Sequence, residues 1–135
     1  MTPQTFTIRT DDDLRSMWTA LMGPPGYASR TLWVAFLDEN DVSTPLLMPI
    51  EDLPDKVEPR LLPPLHDLVA TTVRDCRLGG AVLLLSRPGT ETISSADRAW
   101  AQALHQALRD LPGRPIHLAT DDGVRAFSPD DLLAA

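Results

Sequence analysis

The chain has 135 residues, a formal net charge of −7 and a sequence pI of about 4.7, with 43% hydrophobic and 23% charged residues. That length predicts one domain, large enough to bury a core without staples. The acidic balance, with Lys56 as the one lysine and the arginines scattered, excludes a surface built on phosphate contacts. A lone Cys76 excludes an intramolecular disulfide and a cysteine-based zinc cage. No charged-then-apolar leader and no membrane-length apolar run is visible, so a cytoplasmic protein without membrane or nucleic-acid partners is expected. An abundance of arginine, alanine, proline and leucine fits a GC-rich bacterial genome.

In chain order, Phe6-Thr7-Ile8 reads as a short strand. Thr10 followed by Asp11-Asp12-Asp13 starts a helix: a hydroxyl cap, with acids on the positive end of the dipole. Leu14, Met17, Trp18, Leu21 and Met22 give that helix one apolar face, and Gly23-Pro24-Pro25-Gly26 ends it. Thr31 to Leu37 is a central strand, and Asp38 to Asp41 a polar turn. Val42 to Ile50 returns as a second strand, ended or broken near Pro49 and therefore placed at an edge or bulge. A charged, proline-rich loop over 51–59 leads to a helix over 60–77 with Pro63-Pro64 in its first turn. Leu62, Leu65, Val69, Val73 and Cys76 share one side of it, which predicts a buried structural thiol.

The stretch from Gly79 to Trp100 organises the rest. Ala81 to Leu85 is an apolar run suited to a strand covered on both faces. Arg87-Pro88-Gly89 leaves the ladder, and Ser94 caps a helix with Asp97 at its third position. Trp100, Leu104, Ala107, Leu108 and Leu111 form the buried face of this helix, which Pro112-Gly113 closes. Arg114 to Thr120 is a strand with Ile116 and Leu118 facing one way and His117 the other. Asp121-Asp122-Gly123 is a tight hairpin, Val124 to Phe127 the return strand, and Ser128-Pro129 caps a final short helix. The predicted class is α/β (α+β): a single mixed sheet flanked by helices, with at least one parallel pair and an antiparallel hairpin. The expected organisation is one domain over 1–135, with an N-terminal helical segment 1–28, a core 31–127 and a short C-terminal helix 128–135.

From about Thr31 to Phe127 this order resembles the JAB/MPN metallo-isopeptidase clan, and within it the RadC-like branch. The resemblance is carried by the strands through Leu37-Asp38 and Pro49, the proline-containing helix, the strand into Arg87-Pro88-Gly89, the Ser94-x-x-Asp97 start, and Pro115-Ile116-His117-Leu118 with its hairpin. It implies the JAB/MPN, cytidine-deaminase-like architecture. The family pattern is His-x-His-Pro, a spacer, then Ser-x-x-Asp, in which two histidines and the aspartate hold zinc, the serine supports the oxyanion and an upstream glutamate is the base. Here Pro88, Ser94 and Asp97 match, but the histidine positions fall on Leu85 and Arg87, with Ser86 between them. The spacer is short, and Glu39 and Glu51 are the upstream glutamates considered for the base, neither in the expected strand context. Leucine is no ligand and a guanidinium repels a cation. The resemblance therefore implies the fold without metal, cofactor or catalytic residue. Two arrangements stay open: Arg87 fills the metal's space and pairs with Asp97, or Arg87 points to water and Asp97 merely caps its helix.

Among the histidines, His66, His105 and His117 lie in three different elements, and His117 is the best placed to neighbour this cleft. No Gly-x-Ser-x-Gly elbow and no glycine-rich phosphate loop is present. The expected role is a non-catalytic pseudoenzyme acting as a protein-interaction or regulatory module, with a protein partner or a homodimer. Trp18, Trp33, Trp100 and Tyr27 are the candidate interface anchors. The alternatives are a hydrolase using another site, or a small ligand or peptide bound in the vestigial cleft.

Overall fold

The computed structural model describes residues 5–24 and 26–132, so Pro25 and the ends of the expected N- and C-terminal segments lie outside the described residues. The elements run α1 (Asp11–Met22), β1 (Thr31–Leu37), β2 (Ser43–Ile50), a 3-10 turn (Pro59–Leu61), α2 (Leu62–Asp75), β3 (Gly80–Ser86), α3 (Ser95–Ala107), β4 (His117–Thr120), β5 (Gly123–Ala126) and α4 (Pro129–Leu132). This is the helix–strand order read from the sequence. The strands form one five-stranded mixed sheet in the order β2-β1-β3-β4-β5. The β3–β4 pair is parallel, and the other neighbours are antiparallel. A parallel pair needs a crossover, and α3 supplies it.

β3 is buried along its whole length because helices cover both faces of the sheet. On one face Leu83, Leu85 and Leu118 pack with Leu65 and Val69 of α2 and with Trp100, Ala101 and Leu104 of α3. On the other, Val82, Leu84 and Ala119 pack with Leu14, Met17 and Trp18 of α1. Each of the buried Leu, Val and Met side chains contributes about 1.5–3 kcal/mol relative to exposure, so the sheet is held from both sides. Gly79 precedes β3 and Gly80 opens it, because a Cβ at either would run into a carbonyl oxygen, that of Asp38 or of Pro112 respectively. Their role is close backbone approach.

Several local expectations change. Phe6–Ile8 makes a single bridge, Thr7 to Val42, rather than a strand. Leu21 is 42% exposed, because the α1 stripe that meets the sheet is Leu14, Met17 and Trp18. β2 continues through Pro49 to Ile50, which an edge position permits. The strand expected from Arg114 begins only at His117, where β3 offers Leu84 as a parallel partner.

Cys76 is exposed, not buried. α2 ends at Asp75 and Arg77 takes a left-handed φ of 53°. Leu78 N–H then donates to Val73 O (2.9 Å) and Arg77 N–H to Arg74 O (3.3 Å), the Schellman arrangement. The helical phase that would have buried the thiol stops one residue before it.

Trp18 and Trp100 are 0% and 1% exposed, so neither is an interface anchor.

Candidate functional site at the strand-to-helix junction

The junction between β3 and α3 is shaped by local chemistry and by two aspartates from the β4–β5 turn. Gly89, at φ 103°, turns the chain, and its N–H donates to Asp121 Oδ2 (2.9 Å). Asp121 N–H returns a bond to Gly89 O (3.0 Å), and Glu91 N–H donates to Asp122 Oδ2 (2.8 Å). Ser94 caps α3: its Oγ accepts from Asp97 N–H (3.1 Å), while Asp97 Oδ2 accepts from Ser94 N–H (2.9 Å).

Asp97 does more than cap its helix. It is fully buried, and its carboxylate receives two guanidinium groups. Arg87 donates from Nε to Oδ1 (2.8 Å) and Oδ2 (2.9 Å), and from Nη2 to Oδ2 (2.7 Å). Arg30, the residue before β1, donates from Nη1 to Oδ1 (2.6 Å). Of the two arrangements the sequence leaves open, the structure has the Arg87–Asp97 pair, and it adds Arg30, which no local pattern signals. The sheet register sets Thr31 opposite Ser86, which places Arg30 and Arg87 next to each other across the strands. Two adjacent cations need an anion between them, and Asp97 is that anion.

Arg87 is further fixed through Nη1 to Pro88 O (3.0 Å) and Nη2 to Thr92 O (2.8 Å), so it closes the loop over the pair from within. Arg30 is 8% exposed, and its Nη2 lies 3.8 Å from the exposed Asp55. Burial would raise the pKa of Asp97; the Arg87 hydrogen bonds, the Ser94 N–H and the Arg30 bond outweigh it and lower it to about 2. Asp97 in turn raises the pKa of Arg87.

The junction thus brings together Arg87, Ser94 and Asp97. Leu85 is fully buried in the apolar layer under α3. Ser86 points to the opposite face, where its Oγ accepts from Trp33 Nε1 (2.9 Å). Pro88 is exposed and contributes a carbonyl. His117 is not a neighbour of this cleft. Its strand partner Leu84 faces α1, and Leu118, one residue on, faces α3. Its Nδ1 lies 3.1 Å from Pro115 O, and burial lowers its pKa. Ser86 bonds Trp33 and Ser94 bonds Asp97, so neither serine is engaged by a histidine.

The residues do not fit a JAB-type zinc. Leu85 and Arg87 supply no ligand, and both oxygens of Asp97 are taken by N–H donors. Glu39 sits in the β1–β2 turn and Glu51 is exposed after β2. Among the described residues, no three His, Cys, Asp or Glu side chains are grouped to hold a metal ion. Nor, among those residues, is any helix long and apolar enough to cross a membrane. No protein-family model matches the chain, and no curated protein is similar to it.

Proposed function

We propose that this chain is a non-catalytic domain of RadC-like, JAB/MPN architecture that works by binding a protein partner. The reading is carried by one observation: the buried Asp97 carboxylate is held by Arg87, on a position where the family pattern has a histidine, and by Arg30. A guanidinium that fills this space supplies the positive charge that the Asp97 carboxylate pairs with, but it activates no water. The element order, the parallel β3–β4 pair joined through α3, and the Ser94–Asp97 cap support the architectural part of the reading.

The loop that would admit a substrate is occupied from inside by Arg87 and tied from outside by Asp121 and Asp122. That favours binding through an outer surface over turnover in the cleft.

The test is incubation of the purified protein with excess zinc, followed by gel filtration, elemental analysis and an isopeptide-cleavage assay. The expected result is less than a tenth of an equivalent of zinc and no cleavage (roughly, on the affinities of structural zinc sites). One retained zinc per chain, lost on Asp97→Asn, would overturn the reading.

A further inference from the structure

A second cluster lies away from the junction, between α2 and the end of α3. His66 of α2 has both ring nitrogens against carboxylates. Nε2 is 2.9 and 3.0 Å from the two oxygens of Asp110, and Nδ1 is 3.3 Å from Asp67 Oδ1. An ionised carboxylate only accepts, so this geometry requires a doubly protonated ring: an imidazolium lying between two anions. Beside it is a cavity of about 530 Å³ with an apolar wall of Leu62, Pro63, Ala103 and Ala107. Its size falls within the usual range for ligand sites, about 300–1,000 Å³.

We propose that this groove receives an arginine side chain, with an adjoining apolar residue, from a partner protein, the guanidinium displacing the His66 ring from Asp110. Charge complementarity selects the occupant. The groove is lined by Asp67 and His66, Asp110 stands behind the His66 ring, and the cation hydrogen-bonded to Asp110 is a planar group held through its N–H donor. A guanidinium is planar as well, and matches a carboxylate bidentately where the ring offers a single donor. The apolar wall takes the neighbouring side chain. The net charge of −7 draws a cationic segment to the protein.

The other charged groups nearby are already engaged. Arg109, next to Asp110, donates to Gln106 Oε1 (3.2 Å), and Arg60 of the 3-10 turn pairs with Glu58 (2.9 Å). The site is distinct from the Asp97 junction; it rests on the partner-binding part of the proposed function, and the zinc test does not decide it.

The mechanism sets a sign. Displacement from Asp110 removes the bond that most raises the pKa of His66, so proton release accompanies binding above the ordinary value of 6.5 and binding strengthens as pH rises through the titration of His66. The Asp110 bond, then the Asp67 bond, raise that pKa above 6.5. The probe is acetyl-Leu-Arg-amide, with acetyl-Leu-citrulline-amide as its neutral isostere, followed by amide shifts in two-dimensional NMR. Shifts are expected at Leu62, Ala103 and Gln106, with Kd falling as pH rises from below 6.5 through the titration of His66. Asp110→Asn, a substitution at an exposed position, should keep the native spectrum and lose both the binding and its pH dependence. Equal binding of the citrulline peptide, a pH-independent Kd, equally tight binding of free argininamide, or no shifts in the groove would each overturn the proposal.

Discussion

Oδ1 of Asp97 lies 2.6 Å from Nη1 of Arg30, 67 positions earlier in the chain, and both side chains are buried. With Arg87 on the other side, one carboxylate holds two guanidiniums. The three groups are therefore unequal. Removing a cation leaves Asp97 with the other one; removing the anion leaves two buried cations facing each other.

Asp97→Ala is accordingly expected to cost about 3–5 kcal/mol of unfolding free energy, the range for orphaning a buried charge. Arg87→Leu should cost about 1–3 kcal/mol, since Arg30 and the Ser94 N–H still serve the carboxylate. Urea unfolding of the two variants checks the order. An Asp97→Ala cost below that of Arg87→Leu would mean that the carboxylate is not the centre of the group.

The same pair fixes the acid limit of stability. Asp97 has a folded pKa of about 2 against an ordinary 3.8, so its contribution is fully present above the higher value and disappears as pH falls through the lower one. A difference of this size is on the order of 2 kcal/mol. Calorimetric melting between about pH 2 and about pH 5 should show a steeper slope in the wild type than in Asp97→Asn, where Asp13, Asp110 and Asp131 still contribute.

His117 acts in a different window. Burial favours its neutral ring and lowers its pKa from 6.5, so the folded state binds the proton less well than the unfolded chain. Stability from this group is expected to fall as pH drops below 6.5 and to level off once the folded pKa is passed. The same melting series on His117→Gln should lose the slope near pH 6 and keep the more acidic one. His66 has the opposite sign: its raised pKa stabilises below 6.5 and the effect is lost as pH rises through the folded value.

How much of this was legible in the sequence depends on the distance over which each feature is set. The Ser94–Asp97 cap is decided within three residues and is legible directly, as is the Thr10 hydroxyl cap, while the return bond of Asp13 to the Thr10 N–H comes from the structure. Arg87 was found because it falls where the family pattern has a ligand. Arg30 was missed because its place beside Arg87 follows from the β1–β3 register, and register is set by pairing that the local pattern does not contain. His117 was given the correct alternation with Ile116 and Leu118, but which face carries α3 is a tertiary fact. Cys76 was misplaced because the left-handed residue ending α2 is Arg77, where a glycine would have signalled the stop.

β2 bears on self-association. It is an edge strand carrying Pro45, Leu46, Leu47, Met48 and Pro49, with Leu46 42% exposed. An apolar edge invites strand addition, and proline removes the outward donors that a new strand needs. Pro49 stands opposite Trp33 with no N–H to offer either side. Replacing Pro45 and Pro49 together with threonine is expected to produce concentration-dependent dimers or larger species in sedimentation velocity, while the natural sequence does not associate through this edge. Identical sedimentation of the two proteins would show that the prolines play no such part.

The most direct measurement is a carbonyl-carbon NMR titration of the Asp97 side chain, run with and without excess zinc. If Asp97 is an ion-paired carboxylate, its pKa lies near 2 and zinc leaves both the pKa and the chemical shift unchanged. A pKa near 3.8, or a shift that saturates at one zinc per chain, would contradict the account.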